Sequence, residues 1–339
     1  MLNRAISFML LLFSSVSISA QHLFILNSGH SSSLRGLSVV NSQIIWVSGS
    51  SGCVGRSTDG GKVWQWLKIP KYEKTDFRDI EAFSDREAVI MGITEPAVIL
   101  RTTDGGLTWA TVFEDSAKSV FLDAMDFSGD NGVVVGDPDS GRVFFARTRD
   151  RGKKWEKINP PGFESIATGE AFFASSGSNL SLIPYSHSSD RFNCTLVSGG
   201  NKASLFHAGN HFPLMLTQGT ETTGANSIAI NPDNYNLAFI VGGDFRNDTL
   251  QSGNSLQVQF NPFLLTVPVT PPHGYRSCVE YIDNLRMICC GTNGVDISTD
   301  GGKNWKLISG QSFHVCRRSK QGQSVFLAGA HGGIAKLIW

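Results

Sequence analysis

Ser57-Thr58-Asp59-Gly60-Gly61-Lys62-Val63-Trp64 decides the reading of this chain, because three further stretches share its form. They are Thr102-Thr103-Asp104-Gly105-Gly106-Leu107-Thr108-Trp109, Thr148-Arg149-Asp150-Arg151-Gly152-Lys153-Lys154-Trp155 and Ser298-Thr299-Asp300-Gly301-Gly302-Lys303-Asn304-Trp305. The starts lie 45, 46 and 150 residues apart. The last interval is three periods of about 50, so two copies are eroded between Trp155 and Ser298. The pattern describes a hairpin staple. Asp59, Asp104, Asp150 and Asp300 accept hydrogen bonds from the amides that follow. Gly supplies the positive φ of the turn, and Trp64, Trp109, Trp155 and Trp305 fold back onto the apolar layer. Four equivalent copies cannot all be one active site, so these eight residues read as structure.

A second marker gives the count independently. Apolar runs end in glycine clusters at Gly49, Gly92, Gly136, Gly199, Gly242, Gly291 and Gly329, seven in all, and another strand-like run follows each. Repeats of about 40 to 50 residues built only from short strands predict an all-β, seven-bladed β-propeller. The last repeat is truncated after Gly333, with only Ile334 to Trp339 left for a strand. An open sheet edge is a liability, so the N-terminal segment His22 to Leu26 is expected to close the seventh blade from outside. Residues 21–339 then form one domain.

Composition excludes several function classes. Lys plus Arg and Asp plus Glu are both 29, giving zero net charge and no basic field for nucleic acid. Arg4, the apolar run Ala5 to Phe13 and the small polar stretch to Ala20 read as a signal peptide over residues 1–20, implying an exported chain with no membrane span after cleavage. The six cysteines, at 53, 194, 278, 289, 290 and 316, match no metal or redox spacing; they can pair as disulfides after export, and most read as small core residues. Asp137-Pro138-Asp139-Ser140-Gly141 lacks the spaced ligands and terminal Glu of a calcium loop and reads as a turn. No dinucleotide loop or nucleophile elbow occurs, so no cofactor and no metal are expected.

The first strand of each repeat should lie innermost. The seven beginnings are Arg35-Gly36-Leu37, Phe77-Arg78-Asp79-Ile80, Leu122-Asp123-Ala124-Met125, Gly169-Glu170-Ala171-Phe172, Ala225-Asn226-Ser227-Ile228, Tyr275-Arg276-Ser277-Cys278 and Phe313-His314-Val315-Cys316. Each offers a polar side chain at nearly one position: Arg35, Arg78 with Asp79, Asp123, Glu170, Asn226, Arg276 and His314. In a radial fold these converge on the mouth of the central channel, on the face of the glycine turns, with Glu95, Asp137, Asp244 and His331 on the rim. Such a ring can satisfy itself through salt bridges and water. It can equally recognise a carboxylate, which Arg grips with two parallel hydrogen bonds.

The repeated boxes, the seven-fold period and strand starts such as Phe77-Arg78-Asp79-Ile80-Glu81 resemble the photosystem II stability/assembly factor family. The resemblance spans residues 22 to 339. It implies an exported seven-bladed propeller of Asp-box (BNR) repeats that acts without catalysis, holding a partner polypeptide at an arginine patch, here Arg35, Arg78 and Arg276. The eroded fourth and fifth repeats and the long segment Ser175 to Ser198, with Tyr185-Ser186-His187, mark a divergent lineage. Two functions follow. One is a monomeric binding or assembly propeller that captures a peptide or carboxylate-bearing ligand. The other is a glycoside-processing enzyme similar to sialidases, which carry the same boxes. That resemblance casts Arg35, Arg78 and Arg276 as a carboxylate clamp, Tyr275 with Glu170 as nucleophile pair, and Asp79 or Asp123 as acid/base, although Arg35 lacks the expected Arg-Ile-Pro context.

Overall fold

A computed structural model describes residues 21–139, 141–163, 166–183 and 194–339. The signal-peptide reading of residues 1–20 and the Tyr185-to-His187 stretch lie outside the described residues. The described residues form seven antiparallel blades, six of four strands and one that two short added strands extend to six. Blade one runs Leu34–Val39, Ile45–Gly49, Val54–Ser57 and Gln65–Leu67 from axis to rim, and blades two, three and six repeat this order. Burial follows the layering: second strands such as Ile45–Gly49 and Ala88–Gly92 are buried on both faces and read as apolar runs, whereas the outermost strands are largely exposed. Apolar clusters fill the space between neighbouring blades, as where Trp46 and Val54 meet Phe77, Ile80 and Ile90.

Ring closure follows the expected route. His22–Leu26 pairs with Ile334–Ile338 over five residues, Leu26 opposite Ile334, and forms the outermost strand of the blade containing Val315–Arg318 and Val325–Ala328.

The boxes hold as hairpin staples. Ser57 Oγ receives Gly61 N–H at 2.9 Å, Asp59 Oδ1 receives the amides of Lys62 and Val63 at 3.0 Å, and Trp64 Nε1 donates to Gly61 O at 3.1 Å. The same bonds recur at Asp104 with Trp109 and at Asp300 with Trp305. Asp150 keeps its amide bonds, and Trp155 packs edge-on against Phe127 at 5.8 Å. In blades four and five the eroded boxes are two-residue hairpins, Ala208-Gly209 and Asn261-Pro262. Both Ala208 and Gly209 have positive φ, the geometry that suits the twist of the flanking strands.

Blade four departs from expectation. Its innermost strand is Leu180–Leu182, not the stretch beginning at Gly169. Glu170–Ala171 instead pairs with Gly199–Gly200, which continues into the inner edge of blade five at Gly224. The paired glycines permit this: a Cβ on Gly224 would lie 2.2 Å from the Gly199 Cα.

Candidate functional site

The inner strands bulge where they enter the channel. Register shifts by one residue between Leu34 and Gly36, Phe77 and Asp79, Leu122 and Ala124, and Ala225 and Ser227. The extra residues are Arg35, Arg78, Asp123 and Asn226, so the bulge aims polar side chains where regular alternation would not. The glycine turns lie at this end. The boxes lie at the other, their Gly amides bonding the turns that join first to second strands, as Gly60 does to Gln43 and Gly105 to Arg86.

Blade six breaks the expected alignment by one position. The glycine ending the second strand sits over the Cα of Leu34 in blade one, of Leu122 in blade three, of Ala225 in blade five and of Arg276 in blade six. Arg276 therefore occupies a core position, fully buried, and pairs with Asp296, which is equally buried. Its Nη1 donates to Tyr275 O at 2.7 Å and also to Asn293 Oδ1. The residue equivalent to Arg35 is Ser277, whose Oγ donates to His314 O at 2.7 Å.

The mouth brings together Arg35, Arg78, His314, Tyr275 and Asn226. Arg78 Nε pairs with Asp76 at 2.9 Å. Tyr275 donates its hydroxyl to Asn226 Oδ1 at 2.9 Å, and His314 Nε2 meets Ser33 Oγ at 3.2 Å. Burial, then the Arg78 charge, lowers the Arg35 pKa. Burial, then Arg35 and Arg78, pulls His314 down to about 3, leaving it neutral at physiological pH. Tyr275 is pushed up by burial and stays a neutral donor. Asp123 is fully buried beneath Arg78, and burial with the nearby Asp137 raises its carboxyl well above the usual range. The field at the mouth is thus positive, with neutral hydroxyl, amide and imidazole groups around two guanidinium groups.

Glu170 is elsewhere: it accepts Ser198 Oγ and the Ala167 amide, and the structure does not bring it to Tyr275. Asp79 lies deeper in the channel, buried, holding the amides of Ile80 and Met125 at 2.8 Å. Burial raises its pKa well above the usual range.

A floor divides the channel, and nothing in the sequence reading pointed to it. Residues 173–179, the strand-poor link into blade four, cross the axis and are held by five blades. Ala174 O receives Arg78 Nη1 and Ser175 O receives Arg35 Nη1, each at 3.4 Å. Ser175 Oγ donates to Asn226 at 3.3 Å, Ser176 Oγ to Ser277 O at 2.8 Å, and Arg317 Nη2 donates to Ser176 O at 2.8 Å. Gly177 is required here: its φ is +64°, and a Cβ would lie 2.2 Å from Asp79 Oδ2.

Below the floor, opening towards the boxes, is a chamber of about 300 Å³. Every blade contributes to its wall, among others through Ser38, Glu81, Asp126, Ser181, Ala229, Glu280 and Arg317. Six of these stand three positions after Arg35, Arg78, Asp123, Asn226, Ser277 or His314, because the bulge adds one residue to the two-residue alternation. That spacing was the available signal. Glu81 pairs with Lys320. Burial pushes Asp126 up to about 6 and Glu280 up to about 7. Among the described residues no set of three His, Cys, Asp or Glu is disposed to hold a metal ion, and no helix is long and apolar enough to cross a membrane.

Comparison with known proteins places the fold. Residues 296–307, the last box, match the BNR/Asp-box repeat model. No curated protein matches the sequence. Among solved structures, YCF48 bound to D1 peptide aligns over 94% of this chain and 95% of its own, with a TM-score of 0.65 and 16% identity. YCF48 from Cyanidioschyzon merolae aligns over 93% and 98%, with a TM-score of 0.64 and 17% identity. A Niastella koreensis GH74 enzyme aligns over 92% of this chain and 53% of its own, at 0.61 and 13%. The chain is a YCF48-like, BNR-repeat seven-bladed propeller in fold.

Proposed function

We propose that this protein is an exported, monomeric binding propeller that captures a peptide segment or carboxylate-bearing ligand at the Arg35–Arg78 mouth, making and breaking no bond. One observation carries the reading. Two guanidinium groups stand together at the channel mouth, yet their axial partners are neutral carbonyls at 3.4 Å, and among the described residues Asp76 is the one carboxylate in a salt bridge with either. A ligand carboxylate offers a shorter, charge-assisted, bidentate contact than Ala174 O and Ser175 O do. The solved YCF48 structure with a D1 peptide supports a peptide as the class of client. The separation of Tyr275 from Glu170, and the burial of Arg276 against Asp296, favour binding over sialidase-like glycoside chemistry.

The test is binding of short peptides with free or amidated C-termini, read by fluorescence anisotropy. Free carboxylates are expected to bind at least about tenfold more tightly, the worth of one charge-assisted contact, and Arg35→Ala or Arg78→Ala should erase the difference. Equal affinity for both termini, or turnover of a glycoside panel, would overturn the reading. Sequencing the N-terminus of the mature protein tests export: it should begin near Gln21.

A further inference from the structure

Blade six holds a thiol cluster that neither the mouth nor the chamber uses. All six cysteines are unbridged and buried, but three of them meet. Cys278 and Cys290 are direct partners across the first two strands of blade six, and Cys316 comes from the innermost strand of blade seven. Cys278 interacts with the thiols of both Cys290 and Cys316. Directly opposed residues on antiparallel strands have Cα atoms about 4.5–5.5 Å apart, within the range a disulfide spans.

Cys289 also has an arginine donor, Arg276, yet burial holds it well above the usual thiol range; Cys278 is the thiol whose donors outweigh burial. Its sulfur accepts Arg317 Nη1 at 3.0 Å and Ser178 Oγ at 3.5 Å and lies 3.3 Å from Cys316 O. Burial alone would raise its pKa. The neighbouring thiols and the Arg317 cation outweigh burial and hold it well below the usual thiol value. Cys194 and Cys53 lack a cation, and burial raises both, Cys53 to about 11. Arg317 and Ser178 also line the chamber, so the buried Cys278 sulfur lies one side chain behind its wall.

We propose that Cys278 is an oxidisable thiol that hydrogen peroxide converts to a disulfide with Cys290. The Cys278 thiolate attacks the peroxide: an S–O bond forms, the O–O bond breaks, and its electron pair leaves as hydroxide. Cys290 then attacks the sulfenic acid. The S–S bond forms, the S–O bond breaks, and the departing hydroxide takes the Cys290 proton as water. Two thiols lose two electrons and the peroxide is reduced.

The reduced, folded protein is titrated with hydrogen peroxide, quenched and denatured; free thiols are alkylated and the cysteine peptides mapped by mass spectrometry. A Cys278–Cys290 bridge should form about tenfold or more faster than oxidation of Cys53 or Cys194. In Cys290→Ser, sulfenic acid should accumulate at Cys278 and be trapped by a 1,3-diketone. Oxidation of Cys53 or Cys194 ahead of Cys278, or a bridge between other cysteines, would overturn the proposal. The unmodified protein decides this alone if the variant does not fold.

Discussion

Arg276 and Asp296 offer a direct stability test, because both are fully buried and Arg276 stands where other blades place Leu34, Leu122 or Ala225. In Asp296→Ala the guanidinium would keep only the neutral acceptors Tyr275 O and Asn293 Oδ1 in the interior. Leaving one charge of a buried pair uncompensated costs about 3–5 kcal/mol. In a domain of this size that corresponds to a melting shift of roughly 4–8 °C. Asp296 also binds His273 Nδ1 at 2.7 Å, so His273→Ala is the control for that half-exposed contact and should cost under about 1 kcal/mol. The double variant Arg276→Leu with Asp296→Ala restores the apolar character of the other blades and should recover most of the loss, since such pairs are often replaceable by packed apolar groups. The assay is equilibrium urea denaturation followed by tryptophan fluorescence. A loss below about 1 kcal/mol in Asp296→Ala, or a double variant as unstable as the single, would refute the assignment of Arg276 to the core.

Two further expectations concern the chamber and the seam. Glu280 rises to about 7 from an ordinary 4.5 through burial, so the folded state binds more protons than the unfolded one between these values, and its contribution to stability falls as pH rises through that window. Glu280→Gln should therefore stabilise the protein at pH 8, by up to about 3 kcal/mol, and leave stability nearly unchanged at pH 4; urea midpoints at the two pH values check this, and an equal effect at both would contradict it. Deleting residues 21–27 removes the strand paired with Ile334–Ile338 and exposes that edge. The truncated chain should lose its single cooperative melt and self-associate, visible by calorimetry and light scattering, whereas an unchanged melt would show that the seam does not close the ring.

The blade count, the closing strand and the role of the boxes were legible because each is a local pattern repeated at a fixed period. The site was legible only where the repeat stayed in register. Arg35, Arg78, Asn226 and His314 were aligned on the apolar residue beside them, and they meet. Arg276 stands one position off because the core position of blade six is filled by an arginine whose compensating Asp296 is remote in sequence. Glu170 failed differently. A Gly-flanked Glu-Ala-Phe resembles a strand start, but blade four begins at Leu180, and the intervening residues cross the axis. No periodic pattern announces such a floor, since its partners come one by one from five blades.

The central claim, that Arg35 and Arg78 form the receptor at the channel mouth, is tested most directly by a crystal structure of the protein with a short peptide bearing a free C-terminal carboxylate. The carboxylate should lie within hydrogen-bond distance of both guanidinium groups, in place of the Ala174 and Ser175 carbonyls. A peptide seated in the box-side chamber or on the outer wall, with those two carbonyl contacts intact, would contradict it.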